Sequence, residues 1–190
     1  MNQHLNKGQN KPTWDAVPAK VKAEVESVLG TRVANAIQAW GGYGPSATFV
    51  LELENGERVF FKGVYPQANG FMKRNQESEI RAYTGLPEIG PWSPRFRGIV
   101  EVEDWRVILL EAVVGGERPP PWTPRLAGAA VRAMADMHSA FVGKPLPAWL
   151  PPAFEFWSER ANWGTFLKDG RAVEGLGLPE PSWVREMRVR

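Results

Sequence analysis

The stretch that most limits what this chain can fold into is GGYGPSATFVLELENGERVFFK, Gly41 to Lys62. Thr48 to Glu54 alternates apolar and charged residues, so Phe49, Leu51 and Leu53 share one sheet face while Glu52 and Glu54 take the other. Asn55-Gly56 follows. A type I′ turn needs positive φ at both central positions, and Asn-Gly supplies it, so a tight hairpin is expected here. Glu57 to Gly63 returns antiparallel. Lys62 lies beside Phe60 and Phe61, and a lysine in so apolar a run must reach water or meet a negative partner. Ahead of the hairpin, Val33 to Trp40 (VANAIQAW) fits a strand or a helix by propensity. Gly41-Gly42 and the hairpin beyond favour a strand paired with 48–54.

Other elements are placed outward from this hairpin. Residues 1–13 read as a disordered polar leader without the apolar core of a secretory signal. Asp15 is an expected N-cap for a helix running to Leu29, with Val21, Val25, Val28 and Leu29 on its apolar face and Gly30 as its stop. After Lys62 come a polar loop and a helix over 76–84 (QESEIRAYT), ended by Gly85 and Pro87. Ile80 and Tyr83 are expected to face the sheet. Arg95 to Val102 and Trp105 to Leu110 read as two more strands around the turn Glu103-Asp104. Gly- and Pro-rich residues 113–123 are an expected hinge between two lobes. Pro124 starts an amphipathic helix to Phe141, with Leu126, Ala130, Val131, Met134, Met137 and His138 at helical spacing. A short helix is expected over 154–166, and another begins at Trp183. The fold class is therefore α+β, a five-stranded antiparallel sheet with one inserted helix, followed by helix.

Composition excludes several classes. With 190 residues the chain can bury a sizeable core. No apolar run reaches the 18 or so residues of a membrane span. The absence of cysteine rules out disulfides and thiolate metal sites and fits a cytoplasmic protein. A net charge of +2 gives no argument for nucleic acid, because the Arg and Lys residues are scattered.

Strand, Gly-rich turn, strand, strand with lysine, helix with glutamate, two strands, linker, helix: this order resembles the small lobe of the protein-kinase-like fold. On the phrases WDAVPAKVKAEVESVLG, GGYGPSATFVLELENGERVFFKGV, ESEIRAYTGLP, VILLEAVVGG, PPPWTP and ADMHSAF, the chain resembles the aminoglycoside phosphotransferase family. The resemblance implies a small lobe over 14–112, a hinge over 113–123 and the start of a helical large lobe over 124–190. It implies ATP and Mg²⁺ as cofactors and a small-molecule hydroxyl as phosphate acceptor. Lys62 would pair the α- and β-phosphates, and Glu79 would brace Lys62 through an ion pair. Gly42, Gly44 and Ser46 would fold over the phosphates, although Ala47 stands where kinases carry a third glycine. Leu110 and Ala112 would offer backbone C=O and N–H to adenine.

One part of the pattern is missing. The family's catalytic loop has an Asp followed five residues later by an Asn, and a further Asp binds magnesium. The four aspartates, Asp15, Asp104, Asp136 and Asp169, are followed at that spacing by Lys20, Leu109, Phe141 and Glu174. A truncated, inactive enzyme is the expectation, with self-association through the face a large lobe would cover. Plainer readings stand beside the sharper ones. Lys62 alone would be an edge lysine, Glu77 is a rival partner for it, and GGYGPS alone is an ordinary turn. Met134 and Met137 are core positions by default, His138 is a core or lobe-interface histidine and not a base, and the tryptophans after Pro147 would be buried between loops. Arg185, Arg188 and Arg190 would form a solvated helix face.

Overall fold

Two hairpins and the strand ahead of them build one sheet in the computed structural model, which describes residues 11–40, 44–117, 121–145 and 147–150. Strands β1 (Val33–Gln38), β2 (Ala47–Leu53), β3 (Arg58–Val64), β4 (Phe96–Val102) and β5 (Trp105–Glu111) are all antiparallel, in the order β1-β2-β3-β5-β4. The expected α+β class and its five-stranded sheet with an inserted helix are therefore observed. Val33 to Gln38 is a strand, as the neighbouring glycines suggested. Gly56 turns the first hairpin at φ 85. The second hairpin turns through Glu103 and Asp104, at φ 50 and 62. Both are side-chain-bearing residues in the left-handed region, which costs energy that Asn-Gly would not.

The period-2 pattern sorts the sheet into two faces. Phe49, Leu51, Val59, Phe61, Val107 and Leu109 are essentially buried and pack with Val17, Val21 and Val25. Helix α1 (Ala19–Leu29) supplies Val21 and Val25 and ends at Gly30, whose φ of 68 closes it in the left-handed region. Burying each such side chain stabilises by about 1.5–3 kcal/mol. Trp14 meets Phe49 and Phe61 edge-on at 5.2 and 5.5 Å. Asp15 is not the N-cap of α1: it sits in a separate 3-10 turn, Trp14–Ala16, and Pro18 occupies the cap position. The extended Val17 parts the two, so Asp15 lies too early to cap α1.

The opposite face carries Thr48, Lys62 and Ile108 in one cross-strand row. Helix α2 (Gly70–Gly85) lies against it and starts six residues earlier than the sequence suggests. Asn69 caps it by accepting from Met72 N–H at 3.0 Å, and Met72 is buried with Val64 and Ala68. A polar-looking stretch thus becomes helical because its cap and its few apolar side chains both have partners.

Helix α3 (Pro124–Phe141) forms over the expected residues, capped by Thr123, which accepts from Leu126 N–H at 3.2 Å. It runs beside the 3-10 turn Pro87–Trp92, and none of its residues is buried. The expectation of a core position for Met134 does not hold, and His138 is not in a core either: both are exposed, as is Val131.

The chain divides into two compact units, Met1–Val142 and Gly143–Arg190. The division falls just after α3. The helices expected over 154–166 and from Trp183, the arginines at 185, 188 and 190, and Trp157, Trp163 and Trp183 lie outside the described residues. None of the described helices is long and apolar enough to cross a membrane.

Candidate functional site

Lys62 is positioned by the central strand. Its backbone pairs with Thr48 on one side and Ile108 on the other, so its Cα has little freedom. The side chain leaves the face away from α1 and meets Glu79 of α2, Nζ to Oε2 2.5 Å. Both side chains are only about one-third exposed or less, at 33% and 26%. Glu77, the rival, pairs with Arg81 on its own helix. A partly exposed ion pair adds on the order of 1 kcal/mol to a fold. That is small beside a buried core residue, so the pair's main physical effect is geometric: it holds a flexible cation at one point.

One hydrogen bond and one ring stack fix the helix around the acid against the sheet. Gln76, one turn before Glu79, donates Nε2–H to the Lys62 carbonyl at 2.8 Å. Tyr83, one turn after, stacks on Phe96 of β4 with ring centroids 6.1 Å apart. Burial, and then the neighbouring Glu79 charge, push the Tyr83 hydroxyl above its ordinary range. α2 is thereby pinned to β3 and β4 on either side of Glu79.

A second cation lies in the same place. Lys11 is 9% exposed and donates from Nζ to Thr48 Oγ1 at 3.0 Å, and that hydroxyl donates to Ala39 O at 2.7 Å. Gln38 ties the same segment down through Pro12 O at 2.9 Å. The end of the expected leader is thus held against the sheet. Burial, and then the charge of Lys62, hold the Lys11 ammonium below its usual 10.5. Of these two neighbouring lysines only Lys62 has a carboxylate partner among the described residues, and the remaining positive charge suits a polyanion.

The remaining expected site residues fare unequally. Gly44 is exposed, with no side chain nearer than Ser46 Oγ at 4.0 Å from where a Cβ would stand, and Ser46 is half-buried. Gly42 lies outside the described residues. The backbone groups assigned to adenine are not free. Ala112 N–H donates to Arg58 O at 3.4 Å. Antiparallel pairs alternate between bonded and non-bonded, so Phe60 and Leu110, two residues in, form the next bonded pair. Leu110 C=O and Ala112 N–H therefore both belong to β3, because β5 runs one residue further than expected. Sequence reasoning missed Lys11 and Gln76. Nothing local marks Lys11 in a polar segment, and Gln76 is one more polar residue on a helix.

Comparison with known proteins gives little beyond this geometry. No model of a protein family matches the chain, and no curated protein matches it. Among solved structures it is similar to one described as a "putative fructosamine-3-kinase" from Thermobifida fusca, at 25% identity and a TM-score of 0.46. The match covers 87% of this chain, which spans 57% of that one.

Proposed function

We propose that this chain is the nucleotide-holding part of an ATP-dependent phosphotransferase acting on a small-molecule hydroxyl, of the aminoglycoside phosphotransferase kind. The observation that carries the reading is the Lys62–Glu79 ion pair, formed between the central strand and the inserted helix. Phosphoryl transfer asks a protein mainly to position a polyanion and offset its charge. Lys62 would meet the α- and β-phosphates. Glu79 keeps the ammonium in place before the nucleotide arrives, and Lys11 adds a second cation beside it. The Gly41–Ser46 turn would lie over the phosphates.

Lys62 and Lys11 would offer cations to the phosphates of ATP, and Mg²⁺ would need carboxylates beside them. Among the described residues no three His, Cys, Asp or Glu side chains come together to hold a metal ion. No Asp in the chain is followed by Asn at the catalytic-loop spacing. The same observation favours a second reading, a non-catalytic nucleotide-binding protein on a kinase-like small lobe.

Calorimetric titration of ATP into wild type, Lys62→Ala and Glu79→Gln tests what both readings share. Loss of a charge-assisted bond should weaken binding about tenfold or more in Lys62→Ala. Glu79→Gln should weaken it less, because the cation remains but is no longer fixed. Equal affinity in wild type and Lys62→Ala would remove the assignment. ATP consumption with hydroxyl-bearing aminoglycosides then separates the readings: turnover supports transfer, and binding without turnover supports the non-catalytic protein.

A further inference from the structure

The segment ahead of α1 reaches both faces of the sheet. Trp14 meets Phe49 and Phe61 on the face that α1 covers, at 5.2 and 5.5 Å. Three residues earlier, Lys11 meets Thr48 in the cross-strand row that holds Lys62, on the opposite face. Gln38 of the edge strand β1 holds the crossing between them, donating Nε2–H to Pro12 O at 2.9 Å. The segment is fixed at both ends, so Lys11 is delivered to one place.

That place is the base of the turn between β1 and β2. Thr48 closes it with two bonds to Ala39: the Thr48 carbonyl accepts from Ala39 N–H at 2.9 Å, and the hydroxyl donates to Ala39 O at 2.7 Å. With its proton committed there, the hydroxyl accepts from Lys11 Nζ at 3.0 Å. An ammonium has three N–H donors. The other two of Lys11 have no acceptor among the described residues, although the residue is only 9% exposed. Unmet donors on a buried charge are costly. The charge acting on Lys11 is that of Lys62, a like charge, and Lys62 is already matched by Glu79. The Lys62 side chain is 33% exposed, which makes it the open side of the pair.

We propose that Lys11 and Lys62 form a two-cation seat for a linear polyphosphate, and that Lys11 makes the site prefer a triphosphate to shorter phosphate chains. On the nucleotide reading of the Lys62–Glu79 pair, on which this rests, Lys11 is a specificity-determining residue. A monophosphate can meet Lys62 alone. Neighbouring strands lie about 4.8 Å apart, and Lys11 is anchored on the strand next to that of Lys62. A longer chain crosses that spacing and brings the oxygens that Lys11 lacks. Because Glu79 offsets Lys62, the charge of Lys11 is the net charge of this cluster, and it favours the ligand with the most anionic groups.

The test is calorimetric titration, without divalent cations, of ATP, ADP, AMP and inorganic tripolyphosphate into the full chain and its Lys11→Met, Lys11→Arg and Lys62→Ala variants. Wild type should bind ATP about tenfold or more tightly than AMP, with ADP between them, as one further charge-assisted bond allows. In Lys11→Met, ATP and tripolyphosphate should each weaken about tenfold while AMP changes less than about twofold. Lys11→Arg keeps the charge and should keep the preference for ATP. Equal ATP affinity in wild type and Lys11→Met, with Lys62→Ala weakened, overturns the role of Lys11 and leaves the nucleotide reading intact. Equal weakening of ATP and AMP in Lys11→Met means that Lys11 only supports the fold, and overturns the role too. Tripolyphosphate binding that depends on Lys11, without any binding of ATP, supports the two-cation seat and removes the nucleotide reading. Failure of both ligands to bind wild type overturns both.

Discussion

At the residue scale, Lys11 separates electrostatics from packing. Its folded-state ammonium is held below 10.5 by burial and by Lys62, while in the unfolded chain it titrates normally. The folded state therefore releases this proton first as pH rises, and the unfolded state binds more protons across the interval between the lowered value and 10.5. Stability contributed by Lys11 consequently rises with pH over that interval and is lost again as pH falls through the lowered value. The expected outcome is that urea unfolding of wild type and Lys11→Met, followed from neutral pH to 10.5, shows the difference moving in favour of wild type as pH rises. A difference independent of pH would mean that Lys11 is not electrostatically strained. Lys62 was legible in the sequence because a lysine next to two phenylalanines in a strand demands a partner. Glu79 became legible through the resemblance. Lys11 was not legible, since its burial depends on a segment folding back across 37 residues onto Thr48.

At the element scale, the strands were readable because each obeys one local rule, alternation bounded by turn residues. Their borders fall within one or two residues of expectation. The start of α2 was not readable, because Asn69 and Met72 act only once Val64 and Ala68 are in place to receive Met72. The same dependence on context shows at Gly98 in β4. It lies at φ 155, in the bulge beside Phe96, and a Cβ there would stand 2.5 Å from Val28 Cγ1 of α1. Gly98→Ala should strain the backbone and push α1 off the sheet, costing about 1–3 kcal/mol. Denaturant unfolding measures it, and a change below about 0.5 kcal/mol would show that α1 shifts freely. At the same scale, one extra residue of β5 pairing brings the backbone groups of Leu110 and Ala112 against β3.

At the scale of the whole molecule, α3 carries the consequence of a correctly read pattern without a matching partner. Its periodicity is sound, yet Val131 is 66% and Met134 55% exposed. Trp122, Val113 and Val114 add exposed apolar surface just before the helix. Apolar area of this kind favours association. We expect sedimentation velocity to show concentration-dependent self-association, reduced when Val131 and Met134 are both changed to Gln. A monomer at high concentration would contradict it. The order β1-β2-β3-β5-β4 has a different effect on the interior. Lys62 belongs to the middle strand, two ladders away from either rim. Thermal fraying starts at free edges, so β1 and β4 can open and close while the strand that carries the ammonium stays shut. The Lys62 ammonium is thereby insulated from the breathing of the sheet around it.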